Sequence, residues 1–337
     1  MATLKDVAKL AGVSYNTVSL VVNNINKVAP ETKERVLEAI KKLNYTPNKS
    51  ARMLKGKSDT IAFISTSFTS MPGINILKEI EEGIHLAGLT YNYDLIPYST
   101  RRSIEIKEKI LNAIVSGKKA DVIIMLSIKP SFELLKRIKQ NNITLILIDE
   151  VMEGVHTINT DNKKGAYLAT EYLIKQGRKN ILYIGGDTEK QEIGLAIIER
   201  EQGYIQALQE YGLEYKQENH LNALYYNIEE GSVLIEEVLK KNKKIDAVFC
   251  GAGDNIAVGV IEKLKKLGIK IPDDIAVIGY DDLPIASIVT PALTTVKQPI
   301  EKMGNAAFAI ALEAMQKKLK EIKTKIFELK LIIRGTA

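Results

Sequence analysis

Apolar residues recur with two different spacings along the 337-residue chain, and the change falls near residue 60. Before it the spacing is helical. Leu4, Val7, Ala8, Leu10 and Ala11 follow Thr3 and stop at Gly12. Ser14 then offers a capping hydroxyl to a second helix with Val18, Val21 and Val22 inside, running to Asn23. A third helix is predicted from Pro30 to Leu43, with Val36, Leu37, Ile40 and Leu43 as its inner stripe. The first two helices, joined through Ala11-Gly12-Val13, make a helix-turn-helix pattern. Ala8 is small enough for a close crossing, Gly12 permits the turn, and Val18 plugs the junction.

From residue 60 onward, short continuous apolar runs alternate with amphipathic stretches. The runs are 61–64, 122–126, 145–148, 181–184, 247–250 and 275–278; the stretches include 76–87, 104–116, 163–176 and 257–267. Continuous runs belong to parallel strands covered on both faces, so the body is expected to be a doubly wound α/β structure. Ligands of such sheets bind beyond the C-terminal strand ends. That directs attention to Ser65, Asp149, Gly185–Asp187, Gly251–Asp254 and Gly279–Asp282.

Composition sharpens this division. The formal charge of +6 is modest, but residues 1–57 hold eleven Lys/Arg against four Asp/Glu, while the remainder is close to neutral. A small basic module on a neutral body predicts a phosphate-backbone partner for the module. The single Cys250 excludes an internal disulfide and makes a cysteine zinc site untenable. Asp6 interrupts the N-terminus where a signal peptide would need an apolar core, and the uncharged stretch 60–77 holds too many Ser/Thr, with Pro72 and Gly73, to span a lipid bilayer. A cytoplasmic protein without a membrane partner is expected.

In a helix-turn-helix the second helix enters the major groove with its N-terminal residues at the base edges. Tyr15 and Asn16 stand there, with Leu20 one turn on; asparagine pairs bidentately with adenine, and leucine can touch a thymine methyl. Ser14, Thr17, Ser19 and Asn23 are short polar side chains suited to phosphates, which position the helix without reading sequence.

The run TLKDVAKLAGVSYNTVSLVVNN, continued by VAPETKERVLEAIKKLNYTPNKSARMLKGK, resembles the DNA-binding headpiece of the lac-repressor/purine-repressor (LacI/GalR) family of bacterial transcription regulators. DDIAVIGYDDLPIASIVTPALTTVKQPIEKMG and the IDEVMEGVHTINTDNKKGAYLATEYLIKQGRKNILYIGG stretch resemble that family's effector domain. The resemblance implies a repressor that binds a pseudo-palindromic operator as a homodimer. It implies a body of two lobes like periplasmic binding proteins, with three crossovers and a small-molecule effector, a sugar or sugar derivative, between the lobes. The implied parts are a headpiece over 1–47, a hinge and linker over 48–59, one lobe from 60–158 with 291–319, and another from 159–290 with 320–337.

Position by position, Thr3, Asn48 and Ala51 join the DNA-facing set, and Leu54 becomes the apolar wedge of a hinge helix in the minor groove. Leu20 stands where arginine is frequent in the family, so a guanine contact is lost. Asp149, Arg200, Asp254 and Asp281 match effector contacts, and Phe68 is placed to line the first lobe. Gly253 replaces a frequent asparagine, which removes one side-chain contact. No heptad segment follows Arg334, which predicts a dimer rather than a tetramer.

Other classes fit less well. Gly251-Ala252-Gly253 follows a strand, but Ile256 occupies the position where a dinucleotide fingerprint needs a third small residue. His85, His156 and His220 lack metal-ligand spacing and read as surface residues, and no GxSxG elbow occurs. No enzyme activity and no cofactor or metal are expected. A solute-binding protein of the same body fold that does not act on DNA is the remaining alternative, and the helix-turn-helix argues against it.

Overall fold

The computed structural model describes residues 2–22, 28–45, 58–66, 77–79, 81–82, 93–101, 103–186, 194–241 and 244–337. Three helices open the chain: α1 (Leu4–Ala11), α2 (Tyr15–Val22) and α3 (Pro30–Lys42). Thr3 caps α1 through a reciprocal box. Its backbone N–H and its hydroxyl both donate to Asp6 Oδ2, at 2.8 and 2.7 Å, while its hydroxyl accepts from the Asp6 N–H at 3.3 Å. Gly12 ends α1 at φ 65°, a left-handed conformation that costs glycine little. Val18 is fully buried among Val7, Ala8, Ala11, Val36 and Ala39. The expected stripe of α3 needs one correction: Leu37 is 50% exposed, and Ala39 takes the inner position. Residues three apart share a helix face, so Val36 selects Ala39 and turns Leu37 outward.

Among the described residues the body holds two six-stranded sheets. The first is built from β1 (Thr60–Ser65), β2 (Asp94–Ser99), β3 (Val122–Leu126), β4 (Thr144–Ile148), β5 (His156–Thr160) and β11 (Thr324–Phe327), in the spatial order β11-β5-β4-β3-β1-β2. The second contains β6 (Ile181–Gly186), β7 (His220–Ala223), β8 (Ala247–Phe249), β9 (Ala276–Asp281), β10 (Thr294–Lys297) and β12 (Lys330–Ile332), in the order β12-β10-β9-β8-β6-β7. Apart from antiparallel β12, every pairing is parallel. In each sheet the strand order reverses direction beside the first strand, at β1/β3 and β6/β8, where such folds open a crevice.

Two-residue periodicity sorts each strand between two cores. Ile61, Phe63, Val122, Ile124, Ile146 and Ile148 face α10 (Ile300–Met315), while Ala62, Ile64, Ile123, Met125, Leu145 and Leu147 face α4 (Ile104–Gly117) and α5 (Phe132–Gln140). The second sheet is sandwiched the same way, between α6 (Asn162–Lys175) with α7 (Leu195–Glu210) and α8 (Ile228–Lys240) with α9 (Asp254–Lys266). Full burial of a Val, Leu, Ile or Phe side chain contributes about 1.5–3 kcal/mol, so these double-sided strands anchor both lobes.

The chain crosses between lobes three times, and two crossings lie later than expected. β10 belongs to the second sheet, so the passage to the first lobe comes after Lys297 rather than at 291; β11 belongs to the first sheet, so the return comes after Phe327 rather than at 320. These short segments, like β2, β5, β7 and β12, lack a continuous apolar run, and only their pairing partners make them strands. The histidine expectation is also corrected. His156 is buried with Nδ1 accepting from the Lys323 N–H at 3.0 Å, and the His220 ring is enclosed beside Tyr215, whose hydroxyl lies 2.9 Å from its Nδ1. His85 lies outside the described residues.

Candidate effector cleft and DNA-facing helix

The residues expected to hold an effector meet where strand ends of the two lobes face each other. Asp149 directly follows β4 in the first lobe, Asp281 ends β9 in the second, and Arg200 projects from the second turn of α7. Asp149 has φ 59° and Asp281 φ 110°, left-handed backbone that turns each carboxylate off its strand. Such conformations cost about 1–3 kcal/mol each and persist where surrounding structure holds them.

Arg200 is clamped from three sides. Nε donates to Asn162 Oδ1 at 3.0 Å, Nη1 donates to the Gly251 carbonyl at 2.9 Å, and the guanidinium lies 3.7 Å from the centre of the Tyr280 ring. Tyr280 also donates its hydroxyl to Asn162 Oδ1 at 3.1 Å. Nη2 stands 4.0 Å from Asp281 Oδ1, which in turn accepts from Gln298 Nε2 at 2.6 Å. Burial alone would depress the guanidinium, but Tyr280, Asp281 and Asp149 outweigh it and hold its pKa above the ordinary value. Asn162 and Gln298 were not singled out from the sequence, and Tyr280 only as part of the Gly279–Asp282 strand end, although all three lie in the stretches that carry the family resemblance.

Asp149 is 9% exposed, and its Oδ1 is buried with no hydrogen-bond partner. Desolvation pushes its pKa to about 6 despite the opposing pull of Arg200. Desolvation likewise raises Asp281, again opposed by Arg200. The next residue on from Asp149, Glu150, joins the lobes: its Oε1 accepts from the Leu195 N–H at the start of α7 at 3.1 Å, and its Oε2 pairs with Lys129 at 3.0 Å. Asp282 is spent on Arg334 and Lys297, at 2.7 and 3.1 Å.

Asp254 departs from the expected role. It has no solvent exposure, Oδ2 accepts from the Leu283 N–H at 2.7 Å, and Oδ1 accepts from the Thr295 hydroxyl at 2.6 Å. With both oxygens occupied inside the second lobe, it ties the strand ends together instead of facing a ligand. Desolvation and the nearby Asp281 push its pKa to about 8. Gly253 has a local reason: at φ 121°, an added Cβ would stand 3.0 Å from Asp281 Oδ2. Phe68 lies outside the described residues, as do Asn23, Asn48, Ala51 and Leu54.

In the headpiece, Tyr15 is 44% exposed at the start of α2 and Asn16 beside it is exposed, while Leu20 and Ser19 are half-buried. Ser14 caps α2, its hydroxyl accepting from the Thr17 N–H at 3.1 Å and lying 2.9 Å from the Thr17 hydroxyl. Ser14, Thr17 and Thr3 therefore all have local capping duties. Among the described residues no group of three or more His, Cys, Asp or Glu is placed to hold a metal ion, and no helix is long and apolar enough to cross a membrane.

Comparison with known proteins finds matches for both the headpiece and the body of the chain. Residues 3–48 match the family described as bacterial regulatory proteins, lacI family, and residues 170–337 match the periplasmic binding protein-like domain. The HTH-type transcriptional repressor PurR of Erwinia tasmaniensis is 34% identical over 328 residues, covering 96% of this chain and 93% of the relative. The chain belongs to the lacI family of bacterial regulatory proteins. It is a DNA-binding transcription regulator, and the N-terminal match sets aside a solute-binding protein that does not act on DNA. A structure described as a transcriptional regulator CelR-cellobiose complex is 28% identical with a TM-score of 0.71, each chain covered completely. A lac repressor dimer bound to operator and the anti-inducer ONPF shares the fold at 23% identity and a TM-score of 0.79, covering 99% of this chain and 98% of that one.

Proposed function

We propose that this lacI-family regulator is a homodimer that binds a pseudo-palindromic operator and is switched by a small molecule, a sugar or sugar derivative, held between its two lobes. The observation that carries the reading is the facing of Asp149, from the first lobe, with the Arg200–Asp281 pair of the second, where the buried Asp149 Oδ1 lacks a partner. A buried acceptor without a donor is costly, and a bound hydroxyl would satisfy it. A ligand touching both lobes favours the arrangement in which those contacts coexist, so it biases the lobe angle and with it the spacing of the two DNA-binding units.

In this reading Tyr15, Asn16 and Leu20 meet base edges, while Ser14, Thr17, Ser19 and Asn23 meet phosphates. Asn48 and Ala51 meet DNA beside them, with Leu54 as the apolar wedge. Asp149, Arg200 and Asp281 contact the effector and Phe68 lines it. A chain of this kind performs no covalent chemistry and works without a cofactor, in the cytoplasm. The relatives' names point the same way, since those proteins are transcriptional repressors and one is described in complex with cellobiose.

The test is operator selection by the full chain from a palindrome library, followed by binding titrations with monosaccharides, disaccharides and purines. Support requires one selected palindrome, loss of its binding in Asn16→Ala, and a ligand that moves the binding midpoint. A selected site with no dyad, or a midpoint that no ligand moves, rejects the reading.

A further inference from the structure

Charge in the cleft is unevenly distributed. Among the described residues, Asp149 and Asp281 are buried carboxylates facing one buried guanidinium, that of Arg200. The neighbouring Lys129 is already held by Glu150 at 3.0 Å. Arg200 is also partly committed. Nε is bound to Asn162, so the side-on fork that arginine offers to a carboxylate or phosphate is closed. One Nη1 proton goes to Gly251, and one face of the guanidinium covers the Tyr280 ring. What remains is the second Nη1 proton and Nη2, and Nη2 stands 4.0 Å from Asp281 Oδ1. An anion reaching that nitrogen would sit against a carboxylate from the second lobe and near Asp149 from the first. At such distances inside a protein, salt does little to screen the repulsion.

The same groups are well arranged for donors. Asp149 presents the unpartnered Oδ1. Asp281 has Oδ2 beside Gly253, where a side chain would crowd it.

We infer that this cleft excludes anionic effectors: it takes a ligand without phosphate or carboxylate, whose hydroxyl or N–H groups donate to Asp149 and Asp281. The inference rests on the reading of the cleft as the effector site and narrows the chemistry allowed there. Phosphorylated or carboxylated forms of any accepted molecule bind at least tenfold more weakly than the uncharged form.

The test is thermal unfolding of the full-length protein at matched ionic strength. The probes are inorganic phosphate, glucose with glucose 6-phosphate and glucuronate, ribose with ribose 5-phosphate, and hypoxanthine with inosine monophosphate. Only the part of each shift that is lost in Arg200→Gln is counted, which removes phosphate binding by the headpiece. In the native protein, phosphate is expected to give no Arg200-dependent shift, and an uncharged probe is expected to act at tenfold or more lower concentration than its anionic partner. In Asp149→Asn/Asp281→Asn, phosphate is expected to stabilise the protein through Arg200; Asp149→Asn alone serves if the pair does not fold. Arg200-dependent stabilisation of native protein by phosphate or any anionic partner ahead of its uncharged form would overturn the charge rule while leaving the effector site intact. An operator-binding midpoint unmoved by every probe removes the effector reading and this inference with it.

Discussion

The Arg200 guanidinium lies 3.7 Å from the centre of the Tyr280 ring, and both side chains converge on Asn162 Oδ1, at 3.0 and 3.1 Å. The pair makes the arginine a fixed donor rather than a mobile one, because stacking and two hydrogen bonds together restrict its rotamers. Arg200→Lys retains the charge but loses the planar fork and most of the stacking. Its effector dose-response midpoint is expected to move at least about tenfold upward, a change worth about 1.4 kcal/mol. Fluorescence anisotropy of labelled operator measures it, and an unmoved midpoint rejects the role.

Stability should fall with rising pH because of Asp254. Its folded pKa of about 8 lies far above the ordinary value of 3.8. Between these values the folded protein holds a proton that the unfolded chain has released, so each pH unit removes up to about 1.4 kcal/mol. The loss ends above pH 8. Asp149, raised to about 6, adds to the same slope at lower pH. Urea denaturation of native protein and Asp254→Asn from pH 5 to 9 checks this, with a flatter profile expected for the variant. Equal slopes would show that Asp254 does not hold the proton.

Gly259 is expected to tolerate no side chain. An added Cβ would collide with the Ile228 carbonyl of α8, and one at Gly231 would collide with the Ile256 carbonyl of α9. The two helices therefore cross with backbones in contact on paired glycines. Gly259→Ala should destabilise by about 2–4 kcal/mol, since overpacking against a backbone atom cannot be relieved by a rotamer change. A loss under about 1 kcal/mol in urea unfolding would mean that the helices separate at little cost.

Glu150 tethers the lobes, at 2% exposure. Glu150→Ala leaves the Leu195 N–H and Lys129 without their partner, and a cost of about 1–3 kcal/mol is expected for the buried donor. Glu150→Gln retains one acceptor and should recover part of it. Identical melting temperatures for native and both variants would remove the tether.

Leu20 sets the operator preference in the proposed contact scheme. Leu20→Arg should draw a guanine into each half-site, since arginine pairs bidentately with its O6 and N7 at about 1–3 kcal/mol of discrimination. Selection from a random library reads this out, and return of the native motif contradicts it.

Much of this organisation was legible before any fold was known. The helical spacing of 4–22 and 30–43, the continuous strands such as 61–64 and 122–126, and the basic N-terminal module depend on neighbours in sequence, whose periods express local backbone geometry. The proposed effector residues Asp149, Arg200 and Asp281 could be singled out because they follow strands or sit in the stretches that resemble the family.

What the sequence determined by itself was therefore the order of elements, the helix-turn-helix and the strand-end positions where a ligand could bind. The tertiary structure alone decided how those positions are used. Asp254, which opens α9 beyond β8, and Asp281, which ends β9, are both carboxylates, yet one is sealed between Leu283 and Thr295 while the other borders Arg200. Polar His156–Thr160 became a buried strand, and β10 and β11 fell to opposite lobes. Such outcomes depend on partners more than a hundred residues away, as with Tyr280 and Asn162. A side chain's chemistry is written in the chain, but its burial and its hydrogen-bond partner are set by what folds against it.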